Sequence, residues 1–213
     1  MRIGILGSGN VGQQLSRAFI GEGHDVKLGT REPAKPELQS WAKSMGAKVA
    51  VGLFGDAALF GELIVLATAW NGTENAIWLA DPKLMAGKVV IDATNPLAVA
   101  PGSAPKLALG FTDSGGEQVQ RWIPDGKVVK CFNTVGAALM YKPQLHGGPP
   151  DMFLCGEDAA AKRTVAGICE TFGWTAIDCG GIDASRLLEP LAMLWIDDGI
   201  RAGRWTKAWK MLR

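Results

Sequence analysis

The sequence predicts an α/β fold in which a doubly wound parallel sheet carries helices on both faces. Short apolar runs alternate with longer mixed segments along most of the chain, a pattern typical of parallel strands joined by helical crossovers. A glycine-rich turn separates the first apolar run from the first helical segment. The length of 213 residues favours one domain, or one domain with a modest appendage. Together these observations predict a Rossmann-type sheet with a small C-terminal α/β extension.

The elements follow in order along the chain. Six apolar runs are predicted to form buried strands, at residues 2–7, 25–28, 63–67, 88–92, 128–132 and 150–155. Segments with helical spacing lie between them, at residues 10–21, 36–45, 56–60, 73–79 and 118–122. Residues 96–116 show little periodicity, so we expect a long functional loop there.

After about residue 143 the chain becomes richer in turns. Three more elements are predicted there, a helix at 158–172, a strand at 174–178 and a helix at about 183–197. A segment of this length is marginal as an independent domain. We therefore predict a Rossmann domain over residues 1–145 and an extension over residues 146–213 that packs on it.

The C-terminal part contains two further patterns. The helix near residue 190 has a long apolar face, typical of a core or a subunit interface, and Arg186 and Glu189 are spaced to pair on its surface. The tail at residues 201–213 combines basic residues with tryptophans. We expect a terminal amphipathic helix whose tryptophans pack on the body. The alternatives are a basic rim for an acidic substrate tail and contact with a membrane surface.

Composition excludes several classes of function. The chain has 22 Lys and Arg against 21 Asp and Glu, whereas nucleic-acid binders usually carry a basic excess. The four cysteines have no CxxC spacing, and there are only two histidines, which argues against a metal site or a Ser-His-Asp triad. We expect neither a nucleic-acid partner nor a bound metal.

The cysteines and the N-terminal sequence bear on the cellular location. Each cysteine lies in or beside an apolar run, which predicts buried free thiols in a reducing compartment. The sequence opens without a signal-peptide pattern, and its apolar runs are far shorter than the ~20 residues that span a membrane. We expect a cytoplasmic protein without membrane contact.

The strongest motif is the glycine turn that follows the first strand. In a dinucleotide site, Gly7 makes the tight turn, Gly9 lets the backbone approach the pyrophosphate, and Gly12 lets helix and strand pack closely. The helix N-terminus then offers free N–H groups to the phosphates. The residues expected to hold the pyrophosphate are Gly7, Ser8, Gly9, Asn10, Val11 and Gly12.

The end of the second strand predicts which dinucleotide is bound. NAD sites place Asp or Glu there to bond the ribose hydroxyls, but this chain reads Gly29-Thr30-Arg31. A Thr30 hydroxyl and an Arg31 guanidinium suit a 2′-phosphate, and Lys35 adds a second positive charge. The sequence therefore favours NADP, although Glu32 leaves a ribose contact open.

Ligands of open α/β sheets bind beyond the carboxyl ends of the strands. Trp70 is expected either to stack near the adenine or ribose or to cap the sheet edge. Asn95 and Asn133 are expected to flank the nicotinamide, with local turn capping as the alternative. The residues expected to contact the cofactor after these strands are Ala67, Thr68, Trp70, Asn95, Pro96 and Asn133.

No general acid or base stands out. The aspartates are expected to be structural or solvated, namely Asp92, Asp113, Asp197 and Asp198. His24 lies in a turn, and only His146, in a loop rich in Gly and Pro, is left as a residue that could reach the site. Hydride transfer between two stacked rings requires proximity and orientation, while the cofactors carry the chemistry. No catalytic residue is therefore assigned, and Asn133 is a candidate ring contact.

The order of the motifs resembles the NADP-dependent coenzyme F420 oxidoreductase family, whose members move a hydride between NADP and an 8-hydroxy-5-deazaflavin. The likeness runs nearly end to end. The segments that carry it are residues 1–7, Gly29-Thr30-Arg31, and residues 92–97, 128–134 and 183–189. The sequence is also similar to the cytosolic domain of the transmembrane ferric reductases, which passes electrons from NADPH to a flavin.

The resemblance implies NADP(H) as cofactor and a small-molecule redox acceptor, coenzyme F420 or a flavin, as second substrate. It implies that the nicotinamide faces the deazaflavin in a cleft between the two parts of the chain, and that the protein is a homodimer. Asn133 stands where the deazaflavin enzymes can carry a histidine near the rings, so the polar contact to the second substrate differs here.

The leading prediction is an oxidoreductase that transfers a hydride between NADP(H) and a deazaflavin or flavin-like acceptor. One alternative is an NADPH-dependent reductase of a small imine or carbonyl substrate, which needs a general acid that the sequence does not reveal. Another is a non-catalytic NADP-sensing module that binds the nucleotide without turnover.

Overall fold

The computed structural model describes residues 1–212 of the chain. The strands are β1 (Arg2–Leu6), β2 (Asp25–Thr30), β3 (Val49–Leu53), β4 (Leu63–Leu66), β5 (Val89–Asp92), β6 (Leu97–Ala98), β7 (Lys106–Leu107), β8 (Lys127–Lys130), β9 (Asp151–Gly156) and β10 (Thr175–Asp178). The helices are α1 (Asn10–Gly21), α2 (Pro36–Ser44), α3 (Phe54–Phe60), α4 (Trp70–Ala80), α5 (Gly115–Trp122), α6 (Ala159–Thr171) and α7 (Ser185–Ala202).

Eight strands form one sheet in the order β10-β9-β8-β5-β4-β1-β2-β3. The six from β8 to β3 are parallel. Successive strands are added on one side from β1 to β3 and on the other side from β4 onward, so a crevice opens at the carboxyl ends of β1 and β4. The doubly wound α/β fold is confirmed.

Apolar side chains cover both faces of the sheet. One buried cluster packs α1 and α6 on the strands and includes Phe19, Val129 and Phe172. The other packs α3, α4 and α5 on the opposite face and includes Ile77 and Val119. The parallel strands are therefore buried on two sides, which explains why they appear as continuous apolar runs rather than alternating ones.

The sheet is not parallel throughout, because β9 runs antiparallel to β8. A parallel return requires a crossover that normally carries a helix, and the connection between these strands holds only a short 3₁₀ turn at Ala137–Leu139. Helix α6 then supplies such a crossover, and β10 is parallel to β9. The C-terminal part thus extends the same sheet.

Two elements differ from the sequence-based expectations. Strand β3, at one edge of the sheet, was not predicted, although Val49–Leu53 is a short apolar run; only Gly52 of it is buried. The segment predicted to be a long loop contains the small β6–β7 hairpin, and α5 begins at Gly115, where the Ser114 hydroxyl caps the helix by accepting the Glu117 N–H.

The C-terminal tail packs on the body, but the expected helix is wrong. Helix α7 ends at Ala202, because Gly203 after it takes the left-handed conformation, with φ of 64°, that commonly terminates helices. Beyond it the chain runs without helix as far as residue 212. The Asp151 N–H donates to the Trp209 carbonyl at 2.9 Å, and the Trp195 indole donates to the Lys207 carbonyl at 2.9 Å. Only Arg213 of the tail lies outside the described residues.

The cysteines are free thiols, and all but the half-buried Cys179 are buried. Burial raises the pKa of Cys155 to about 11, and burial also raises the pKa of Cys131. Such thiols are unreactive near neutral pH. Within residues 1–212, no helix combines the length and apolar character needed to cross a bilayer.

Candidate cofactor-binding site

In the turn between β1 and α1, two positions must be glycine because the packing of the protein leaves no room for a side chain. Gly7 has a φ of 124°, and a Cβ there would lie 2.3 Å from the Ala67 carbonyl oxygen. A Cβ on Gly12 would lie 1.9 Å from the Gly7 carbonyl oxygen. Neither position can hold a side chain unless the backbone moves, so α1 approaches the sheet closely at this point.

Gly9 differs from these two glycines. Its backbone angles are open to any residue, and a Cβ there would meet no protein atom within 4 Å. It nevertheless lines the adjoining cleft. It is also the N-cap of α1, which has no side-chain cap and no acidic residue in its first turn. The open space above Gly9 and the uncapped N–H groups fit a pyrophosphate.

The half of the cleft beside β2, with a cavity of about 370 Å³, is lined by Ser8, Thr30 and Arg31. The Ser8 hydroxyl donates to Thr30 Oγ1 at 3.2 Å, which leaves the Thr30 proton free to be donated to a ligand. Arg31 is exposed and makes no ion pair within residues 1–212. One hydroxyl donor and one unpaired guanidinium suit a phosphate.

Lys35 lies apart from these residues. Its Nζ is 3.3 Å from Glu32 Oε2, and both side chains are more than half exposed. Neither residue is among those that line the cleft. A pair this exposed is weak and easily rearranged.

The second half of the cleft encloses about 530 Å³ between the ends of β4 and β5. Trp70, Asn95 and Leu97 line it, together with Val11 from the first turn of α1. The two halves share the segment that follows β4, residues 67–69 and Asn71. They therefore form one groove across the crevice of the sheet.

Trp70 occupies the half lined by Asn95, not the half lined by Thr30 and Arg31. It is the first residue of α4, and its ring packs on Trp122 with centroids 5.5 Å apart. Trp70 therefore packs on α5 beside the end of the central strand β4, in the half of the groove that lacks Thr30 and Arg31.

Asn95 and Asn133 are joined directly. The Asn95 amide donates to the Asn133 carbonyl at 2.8 Å, and the Asn133 amide donates to Asn95 Oδ1 at 3.1 Å. The Asn133 amide also donates to the Leu188 carbonyl of α7 at 3.1 Å. Asn133 is 4% exposed, and its side chain ties Asn95 to α7. Pro96 is buried beside them.

The residue before Asn133 has a strained backbone. Phe132 has a φ of 64°, a conformation that costs a bulky residue of order 1–3 kcal/mol. Its ring is fully buried and packs on Phe172. This packing holds the chain in a sharp turn after β8, which directs Asn133 toward Asn95.

Three charged residues to which sequence reasoning gave no functional role meet in the core beside the groove. Lys130 Nζ lies 2.8 Å from Asp92 Oδ2 and 3.1 Å from Glu189 Oε1, and all three side chains are buried. Burial alone would lower the pKa of Lys130, but the charges of Asp92 and Glu189 outweigh it, so this pKa is raised. We call these three residues the buried ion cluster.

The predicted pair between Arg186 and Glu189 is wrong. Arg186 instead donates to Glu117 of α5, with Nε 2.8 Å from Oε2, and the Arg186 guanidinium lowers the pKa of Glu117. Glu189 turns inward because two backbone N–H groups of α5, from Gly115 and Gly116, donate to it at 3.0 Å each. Charge spacing along α7 could not reveal a partner on another element.

Sequence reasoning also missed several residues that line the groove, namely Phe54, Asn71, Gly72 and Asn75. The last three belong to the first turns of α4, which begins three residues earlier than predicted. These three residues could have been found from a general rule, because the helix that follows each such strand points its N-terminus at the ligand.

Comparisons with known proteins agree with this geometry. Residues 2–96 match the family model described as NADP oxidoreductase, coenzyme F420-dependent. The F420-dependent NADP reductase of Methanocaldococcus jannaschii is 30% identical over 211 residues, covering 94% of this chain and 93% of that protein. A crystal structure from Arthrobacter sp. FB24, provisionally designated an F420-dependent NADP reductase, superposes with a TM-score of 0.94 at 37% identity over the full length of both chains.

Metalloreductase STEAP3 of Rattus norvegicus is also 30% identical, over 196 residues that cover 91% of this chain. The chain spans only 37% of the length of that protein. The predicted resemblance to both groups is confirmed. The full-length match to the archaeal reductase, together with the glycine turn and the groove beyond β1 and β4, shows that this chain belongs to the family of coenzyme F420-dependent NADP oxidoreductases.

Proposed function

We propose that this protein is an oxidoreductase that transfers a hydride between NADP(H) and a deazaflavin of the coenzyme F420 type. The observation that carries the proposal is the continuous groove. One half combines the open Gly9 with the exposed guanidinium of Arg31, which makes no ion pair with the described residues 1–212. The other half is lined by Trp70 and Asn95 and is large enough for stacked rings. The relatives named for this reaction align along nearly the whole chain.

The residues of the groove have separate roles in this proposal. The N–H groups of the first turn of α1 bind the pyrophosphate, and Thr30 and Arg31 bind the 2′-phosphate. Asn95, held by Asn133, faces the nicotinamide, and NADPH supplies the hydride when bound. No side chain has to move a proton for the transfer itself. The complete set proposed for the cofactor is Gly7, Ser8, Gly9, Asn10, Val11, Gly12, Thr30, Arg31, Lys35, Ala67, Thr68, Trp70, Asn95, Pro96 and Asn133.

An acceptor panel tests this function. The loss of NADPH absorbance is followed with coenzyme F420, FMN, FAD, riboflavin, a cyclic imine and a ketone. We expect turnover with the deazaflavin, and the flavins measure how far the site accepts related rings. Turnover with the imine or ketone alone would favour the small-substrate reductase. Tight NADPH binding without turnover of any acceptor would favour a sensing module.

Arg31→Ala tests the choice of nucleotide. We expect it to weaken NADPH binding by about 1.5–3 kcal/mol, the scale of a hydrogen bond to a charged group, and to leave NADH binding nearly unchanged. Calorimetric titration with both nucleotides measures the difference. Lys35→Ala is the comparison variant, with a smaller expected loss because Lys35 is paired with Glu32. An equal loss for NADH and NADPH in Arg31→Ala would contradict the assignment.

We also propose that the protein is a cytoplasmic homodimer in which residues 1–145 bind NADP and residues 146–213 complete the substrate cleft. Free buried thiols support a reducing compartment. A groove of mostly apolar residues beside α7 supports the dimer, since Phe111 is 99% and Leu187 is 72% exposed there. Light scattering behind a sizing column distinguishes a mass near 45 kDa, twice the chain mass of 22.6 kDa, from that of the single chain.

A further inference from the structure

The buried ion cluster of Asp92, Lys130 and Glu189 adjoins the second half of the groove through one residue, Thr94. The Thr94 N–H and hydroxyl donate to Asp92 Oδ1 at 2.9 and 2.6 Å. Lys130 Nζ donates to the Thr94 carbonyl at 2.9 Å. Both backbone polar groups of Thr94 are therefore held by charged side chains, and Thr94 and Asn95 line the groove.

The cluster also reaches α5 and α7. Glu189 belongs to α7, and its carboxylate accepts the N–H groups of Gly115 and Gly116 at the start of α5. The neighbouring Leu188 carbonyl accepts the Asn133 amide, which also donates to Asn95. Two separate chains of contacts thus lead from α7 to the Thr94–Asn95 segment, one through Lys130 and one through Asn133.

Stability alone is a poor explanation for this arrangement. Buried ion pairs seldom stabilise a protein more than well-packed apolar residues of the same volume, because desolvation offsets the attraction. The cluster holds one positive and two negative groups, so one carboxylate is not matched by a cation. Apolar residues could not bind both the N–H and the carbonyl of Thr94, whereas the charged residues of the cluster hold both groups and so fix the orientation of this backbone.

We propose that Lys130 is a positioning residue for the nicotinamide half of the groove. Through its contacts with Asp92, Glu189 and the Thr94 carbonyl, it sets the place of the Thr94–Asn95 segment against which the nicotinamide ring is oriented. This inference rests on the proposed function, which assigns that half of the groove to the nicotinamide.

The test compares two ligands that differ only in the nicotinamide. Calorimetry gives the Kd of NADPH and of 2′-phospho-ADP-ribose for the wild-type protein and for Lys130→Met. We expect the Kd of NADPH to rise about tenfold, and that of 2′-phospho-ADP-ribose to stay within about twofold of wild type. The single-turnover rate of hydride transfer to the deazaflavin is expected to fall by roughly a hundredfold, as for a displacement of about 1 Å.

Matched variants separate positioning from general damage. Lys162→Met is the control, because Lys162 also contacts a carboxylate, Asp178, and a backbone carbonyl, Gly180, but lies at the β10 edge of the sheet. Both ligands are expected to bind it as they bind wild type. If Lys130→Met does not fold, the double variant Lys130→Met with Glu189→Gln is measured instead. It removes one positive and one negative charge from the cluster.

The outcomes are distinct. Selective loss of NADPH binding supports the positioning role. Equal loss of both ligands, or no loss of either, overturns that role while the proposed function stands. A wild-type protein that binds neither ligand overturns the proposed function, and the positioning role with it.

Discussion

Gly9→Val is expected to weaken NADPH binding by about a hundredfold, equivalent to the loss of one or two hydrogen bonds to a charged group, with little change in stability. A Cβ at Gly9 would have no non-neighbouring atom of residues 1–212 within 4 Å, so a side chain there projects into the groove and obstructs the approach of the pyrophosphate to the backbone. The change in unfolding free energy is expected to stay below about 1 kcal/mol. Calorimetry gives the Kd, and thermal unfolding gives the stability.

Gly12→Val is the matched variant with the opposite expectation. Its Cβ would stand 1.9 Å from the Gly7 carbonyl oxygen, so α1 must move away from the sheet, which costs about 3 kcal/mol, at the upper end for overpacked sites. The two glycines therefore divide the motif into a ligand position and a packing position. Equal destabilisation by both variants, or unchanged NADPH binding in Gly9→Val, would contradict this division.

Glu189→Ala is expected to destabilise the folded protein by about 3–5 kcal/mol, the range for breaking a buried ion pair by removing one partner. The variant leaves the Gly115 and Gly116 N–H groups without the acceptor they share. It also deprives Lys130 of one of its two carboxylates. Urea unfolding followed by circular dichroism measures the difference.

Two further variants make this result specific. Glu170→Ala removes an exposed glutamate from α6 and is expected to change stability by less than about 0.5 kcal/mol. Glu189→Gln keeps the side-chain shape and one acceptor oxygen, so its loss of unfolding free energy should lie between those of Glu189→Ala and Glu170→Ala. A Glu189→Ala protein as stable as the Glu170→Ala protein would contradict the expectation that removing one member of the cluster destabilises the fold.

Some features of the groove could be predicted from the sequence because they depend on neighbours along the chain. The glycine turn joins a strand to the helix that follows it, and each glycine is explained within that turn or by its contact with one adjacent strand. Thr30 is the last residue of β2 and Arg31 follows it, so their place at the carboxyl edge follows from the order of the elements. The alternation of apolar runs and helical segments predicted the doubly wound sheet for the same reason.

Other features could not be predicted because their partners are distant in sequence. Glu189 lies 74 positions from Gly115, and nothing near it along the chain indicates that it turns inward. The three stretches of residues 92–97, 128–134 and 183–189 were recognisable as motifs. That Asp92, Lys130 and Glu189 meet in one cluster appears only when the sheet brings β5 beside β8 and α7 packs across their ends.

The sequence by itself therefore determined the α/β architecture, the glycine turn and the place of Thr30 and Arg31 at the end of β2, since hydrophobic period and turn chemistry act locally. Only the tertiary structure decided the direction of β9, the place of Trp70 and the environment of the buried charges. These depend on which elements lie side by side, and a desolvated charge must find its partners wherever the packed chain brings them.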